Sequence, residues 1–139
     1  MKSIILFMCI LMAQGVMAQD SVTFKLTIKN VRNQQGSVRA SLFQGEENYL
    51  KKSTISKDTT AYSQGEVVIT FRAVPDGEYA ISIYHDANDN GEMDANFMGI
   101  PTESYGFSNN APSRFGPAKY HEAKINISKE NNQHSITLN

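Results

Sequence analysis

The sequence predicts an all-β domain, an antiparallel β-sandwich carrying one long ordered loop at one end. Three observations predict it. Apolar residues recur with period two in most segments beyond residue 20, the signature of strands with one buried face. Clusters of Gly, Asn, Pro and Asp punctuate those segments at turn-like spacing. No segment beyond residue 20 carries the 3.6-residue periodicity of a long amphipathic helix.

The elements follow in chain order. Met1 to Ala18 have the build of a secretory signal: Lys2 is the positive start, Ile4 to Ala13 the apolar stretch, and Val16 and Ala18 the small residues before a cut at Gln19. That stretch is too short to span about 30 Å of hydrocarbon. Residues 19–139 are then one exported domain, and cleavage removes Cys9, the only cysteine. Such a domain relies on its core without a disulfide, and a bound ion is one way to supplement it.

Val22, Phe24, Leu26 and Ile28 alternate with Thr and Lys in a first strand. Asn33 to Gly36 turn the chain, and Val38, Ala40 and Leu42 continue the alternation. Glu46 to Lys52 form a short helical or irregular bridge anchored by Tyr49 and Leu50. Glu66 to Phe71 are a third strand, and Val74-Pro75-Asp76-Gly77 a tight turn. Glu78 to His85 follow, with Tyr79, Ile81 and Ile83 on one face and Ala80, Ser82 and Tyr84 on the other. Two last strands cover Glu122 to Ser128 and Ser135 to Leu138. Six or seven short strands of this kind suit an immunoglobulin-like or transthyretin-like sandwich. Lys25 and Lys29 read as charges guarding a sheet edge along Ser21 to Val31, which favours a monomer.

Asp86 to Pro117 interrupt the rhythm. Phe97, Met98, Ile100, Tyr105, Phe107 and Phe115 make this loop too apolar to stay solvated, so an ordered lid is expected. The aromatic residues of 97–120 either plug the end of the sandwich or present a platform for a carbohydrate or peptide, with Asn109 and Asn110 as polar contacts.

The start of the loop has the spacing of a calcium site. Asp86, Asn88 and Asn90 stand at positions one, three and five, Gly91 at the sharp-turn position six, Glu92 at seven and Asp94 at nine. A hard cation needs six to eight oxygens, and alternate side chains of a coiled loop can converge to supply them. Position twelve, where a bidentate Glu belongs, is Phe97, so Glu103 is the candidate for the missing carboxylate. Two charged ligands inside the loop predict weak affinity, on the order of 10⁻⁴–10⁻³ M. Asp and Asn also bond their own backbone in tight turns, so turn chemistry alone is the alternative reading. Zinc lacks its nitrogen or sulfur donors, apart from His85 beside the loop.

Asp86-Ala-Asn-Asp-Asn-Gly, Met93-Asp94, Phe97-Met-Gly-Ile-Pro-Thr-Glu103 and Tyr105-Gly-Phe-Ser-Asn109 together resemble the bacterial domain of unknown function 2141 family. The resemblance extends from the first strand to Leu138. It implies a small exported β-sandwich and leaves the biochemical activity unassigned.

Composition excludes other classes. A hydrophobic fraction of 40% argues against wholesale disorder, and a formal charge of −1 gives no basic footprint for nucleic acid. His85, Asp86 and Glu103, with His121 or Ser108, have no spacing that demands acid–base chemistry, and no nucleophile elbow or phosphate loop is present. Arg114, Lys119 and Lys124 read as scattered solvated charges. The sequence therefore points to a calcium-stabilised binding or structural accessory domain at the cell envelope, periplasmic or extracellular.

Overall fold

Period-two alternation needs a sheet to bury one face of each strand, and the chain supplies two sheets that cover each other. The computed structural model describes residues 20–60 and 65–139. The expected leader, Met1 to Ala18, lies outside the described residues.

Among the described residues eight strands form: β1 (Ser21–Val31), β2 (Ser37–Gln44), β3 (Ile55–Thr60), β4 (Gly65–Pro75), β5 (Gly77–Asp86), β6 (Tyr105–Phe107), β7 (Ile125–Ile127) and β8 (Gln133–Thr137). One sheet runs β4-β1-β8, the other β3-β2-β5-β6, with β7 also paired to β5. The protein is an all-β sandwich. Its core comprises Phe24, Leu26 and Ile28 of β1, Ile69 and Phe71 of β4, Val38 and Leu42 of β2, and Tyr79, Ile81 and Ile83 of β5. Ile127, Ile136 and Leu138 also belong to it.

Several local expectations change. β1 is central, flanked by β4 and β8, so Lys25 and Lys29 do not guard an edge. β1 and β8 run parallel, the one departure from antiparallel pairing among the described strands. β3 is an added strand, and its sequence ISKDTT lacks alternation because it pairs with β2 alone and is largely exposed. The strand expected over Glu122 to Ser128 shortens to β7, Ile125–Ile127, because Glu122 and Ala123 end a one-turn helix, α1 (Tyr120–Ala123). Glu46–Asn48 take a 3-10 turn, as the bridge reading anticipated. Among the described residues no helix is long and apolar enough to cross a membrane.

A second layer covers the outer face of the larger sheet. Ala80, Phe107, Ala111, Ala118, Tyr120 and Ala123 cluster there, with Tyr49 and Tyr105 packed against them. Tyr49 stacks edge-on against both Phe43 and Tyr120, at 5.8 and 5.6 Å between ring centres. Ser108 ties this layer to β5. Its buried hydroxyl accepts from the Ile81 amide at 2.9 Å and donates to the Ala123 carbonyl. Asn109 donates to the carbonyls of Glu122 and Lys124, and Asn110 accepts from the Thr137 amide. The Tyr105–Asn110 motif is thus a structural staple, its exposed asparagine amides committed to backbone groups of neighbouring segments.

Candidate metal loop and apolar groove

β5 ends by delivering Asp86 into the interior. Its side chain is fully buried, and Arg39 of β2 donates to Oδ2 through Nε at 2.7 Å. The backbone amide of Gly91 donates to the same oxygen at 2.9 Å, and that of Asn90 to Oδ1 at 3.1 Å. The loop therefore coils back onto its first residue. Burial pushes the Asp86 carboxyl up, but the Arg39 hydrogen bond, the two amides and the Arg39 charge outweigh it and hold it below its ordinary range.

The other polar side chains gather a turn later. Asn88 and Asn90 each turn an amide nitrogen to a different oxygen of Asp94, at 2.6 and 2.8 Å. Asn88 Oδ1 accepts from the Asn90 amide and Asn90 Oδ1 from the Glu92 amide, both Asx-turn contacts. Glu103 reaches the loop from 16 residues away in sequence at Ala87, whose amide donates to Oε1; the Asp94 amide donates to Oε2. Glu103 is therefore a clasp across both ends of the loop. Glu92 is exposed, and Phe97, at position twelve, is 96% exposed.

The six expected ligands thus divide. Asn88, Asn90 and Asp94 bring their side chains together, Asp86 is held apart by Arg39 and two backbone amides, Glu103 holds the backbone around them, and Glu92 faces solvent. Among the described residues no three His, Cys, Asp or Glu side chains form a metal-sized group, so amide oxygens would have to complete any coordination shell. His85 is buried with Nε2 at 2.6 Å from the Gln35 carbonyl, and it anchors the β1–β2 turn.

Sequence reasoning missed three residues that shape this loop. Arg39 pairs with Asp86, the Ser37 hydroxyl donates to Asp89 at 2.7 Å, and the Tyr84 hydroxyl donates to the Gly91 carbonyl at 3.0 Å. The Arg39 and Ser37 contacts depend on β2 lying beside β5 with Ser37 opposite Asp86 and Arg39 opposite Tyr84, whereas the Tyr84 contact closes the loop onto its own strand. No local signal encodes that register.

The family follows from the motifs now placed in space. A model described as "uncharacterized protein conserved in bacteria", domain of unknown function 2141, matches residues 26–135. The chain belongs to this family. The match spans both sheets, the Asp86–Asp94 loop and the Tyr105–Asn110 staple of this family member. No curated protein and no solved structure matched the chain.

The second half of the loop builds a groove on the outer face of the larger sheet. Ser82, Tyr105 and Phe107 line its floor; Met93, Ile100 and Pro101 line one wall and Ser113–Pro117 another, around about 550 Å³. Asn96 shapes the first wall: its Oδ1 accepts from the amides of Met98 and Ile100, at 2.9 and 3.0 Å. Phe97 and Met98 project outward beyond that wall, and Phe115 on the other wall is fully exposed. The aromatic set therefore splits. Tyr105, Phe107 and Tyr120 pack into the layer, while Phe97 and Phe115 face solvent.

Proposed function

We propose that this protein is an exported, non-catalytic binding domain of the cell envelope, in which a calcium-organised loop forms one wall of an apolar ligand groove. One observation carries the reading. Asp86, Asn88, Asn90, Asp94 and Glu103 make hydrogen bonds within the loop, while Met93, Ile100 and Pro101 of the same loop line the groove. Whatever stiffens the polar half therefore sets the shape of the apolar half.

Calcium suits the polar half because every donor there is a hard oxygen. A half-turn of the Asn88 and Asn90 amides exchanges nitrogen for oxygen at the point where both meet Asp94, and gives up the two Asx-turn contacts to the Asn90 and Glu92 amides. Asp86 Oδ2 stays with Arg39, so the charge available to an ion comes chiefly from Asp94, in keeping with weak affinity in the extracellular range. Exposed apolar side chains gathered at a groove favour the binding reading, since isolated soluble domains rarely carry such patches without a use. The lining favours an apolar ligand or peptide over a carbohydrate, because Asn109 and Asn110 are committed to the staple.

The test has two measurements on the purified protein. Millimolar calcium should raise the melting temperature of the wild type over a chelated control and leave Asp94→Ala unmoved. The neutral dye N-phenylnaphthylamine should brighten on the wild type and not on Ile100→Asp. Unchanged melting in calcium overturns the ion, and a dark dye on the wild type overturns the groove.

A further inference from the structure

We infer that the groove takes a single-headed hydrophobic anion, an alkyl carboxylate whose chain lies along the apolar floor and whose carboxylate meets Arg114. This rests on the groove being the binding site proposed above and names its ligand class. The lining is the first argument. Of the residues around the cavity, Arg114 alone is charged, and no carboxylate stands among them. Its volume of about 550 Å³ lies within the roughly 300–1,000 Å³ of small-molecule sites, which are mostly apolar with a few orienting polar groups.

Arg114 is also available. It is exposed and makes no ion pair among the described residues, whereas Arg39, Lys124 and Lys129 each pair with a carboxylate. It borders the adjoining surface groove as well, where Lys119 adds a second positive charge and Glu122 the single negative one. A guanidinium presents a planar fork that meets a carboxylate with two hydrogen bonds. Chemically, then, the groove has a mostly apolar lining with one cationic group on it. A neutral hydrocarbon leaves that group unused, a cation is repelled by it, and a sugar finds few partners along the lining. Phe115 stands at the lip between the two grooves, so a chain seated there removes part of its face from water.

Calorimetric titration with decanoate, decanol and decyltrimethylammonium, each below its aggregation concentration, tests the assignment. Decanoate should bind about tenfold more tightly than decanol, the worth of one charge-assisted contact, and the cation should bind least. Arg114→Gln should erase that tenfold preference while leaving decanol affinity and the melting temperature unchanged, and Arg114→Lys should restore part of it. Equal binding of decanoate and decanol, indifferent to Arg114→Gln, overturns the anion assignment while the groove reading stands. No binding of any amphiphile, with the neutral dye still bright, overturns the ligand class. A dark dye together with no amphiphile binding overturns the groove as well. Protein that sediments with anionic vesicles yet ignores free decanoate assigns the patch to a bilayer and overturns the proposal.

Discussion

Arg39 Nε and Asp86 Oδ2 lie 2.7 Å apart across neighbouring strands, with the carboxylate fully buried and the guanidinium side chain 31% exposed. This pair joins β2 to the first residue of the loop. Its charges are unequal in their access to water, so the two partners respond differently to substitution. Removing Arg39 strands a buried charge, whereas removing Asp86 releases a cation that can still be hydrated.

Arg39→Gln should therefore cost about 3 kcal/mol of unfolding free energy. Urea denaturation measures this through a lower midpoint at an unchanged slope. A loss below roughly 0.5 kcal/mol would mean that the pair behaves like an exposed one.

Stability should fall with acid in two stages. His134 accepts the Asn109 amide through Nε2, and burial lowers its pKa. Its contribution is full above the ordinary histidine value of about 6.5 and is lost as pH falls through the lower folded value. Asp86 is likewise depressed, so its contribution is full above the ordinary carboxylate range near pH 4 and is lost below that. Melting temperature against pH should reveal both stages, and His134→Leu should remove the upper one.

Gly36→Ala should destabilise by about 3 kcal/mol, an overpacking cost on a strained backbone. Gly36 has φ +67°, and a Cβ there would stand 1.9 Å from the Asp86 carbonyl oxygen. Backbone lies on both sides of that contact, so relief requires the β1–β2 turn to shift. Thermal unfolding checks the magnitude, and weaker amide protection from exchange in residues 86–91 checks the location.

Ser108→Ala should cost about 2 kcal/mol by leaving the Ile81 amide and the Ala123 carbonyl unpaired in the interior. Its effect should be felt in α1 and β5 together, which hydrogen exchange resolves. Asn109→Ala, losing contacts in an exposed setting, should cost less.

Calcium at ten times its dissociation constant should add about 1.4 kcal/mol to folding by mass action. That corresponds to a few degrees in melting temperature for a domain of this size. Asp94→Ala should abolish the shift and leave the chelated protein close to wild type, because Asp94's side-chain partners are two exposed amides.

The loop was the most legible part of the candidate site. Asp86, Asn88, Asn90, Gly91 and Asp94 act within a few residues of one another, and Asx turns and a positive φ at Gly91 are local chemistry. Glu103 was legible as a loop partner, but its attachment to two backbone amides was not, since nothing in its spacing distinguishes an ion from an N–H. Arg39 was invisible, because its relation to Asp86 spans 47 residues.

Alternation by itself determined which residues of β1, β2, β4 and β5 face the core, because successive side chains of a strand point to opposite sides. The spacing of Asp86, Asn88, Asn90, Gly91 and Asp94 marked that segment as a coiled turn rich in oxygen donors. Only tertiary structure decided which strands are neighbours: β1 at the centre of its sheet, β8 parallel to it, and β2 in register with β5. Likewise, only packing decided that Phe107 is buried while Phe97 and Phe115 are bare. A periodic pattern says which face seeks cover. What covers it depends on segments far away in the chain, whose approach is set by the summed packing of the whole core.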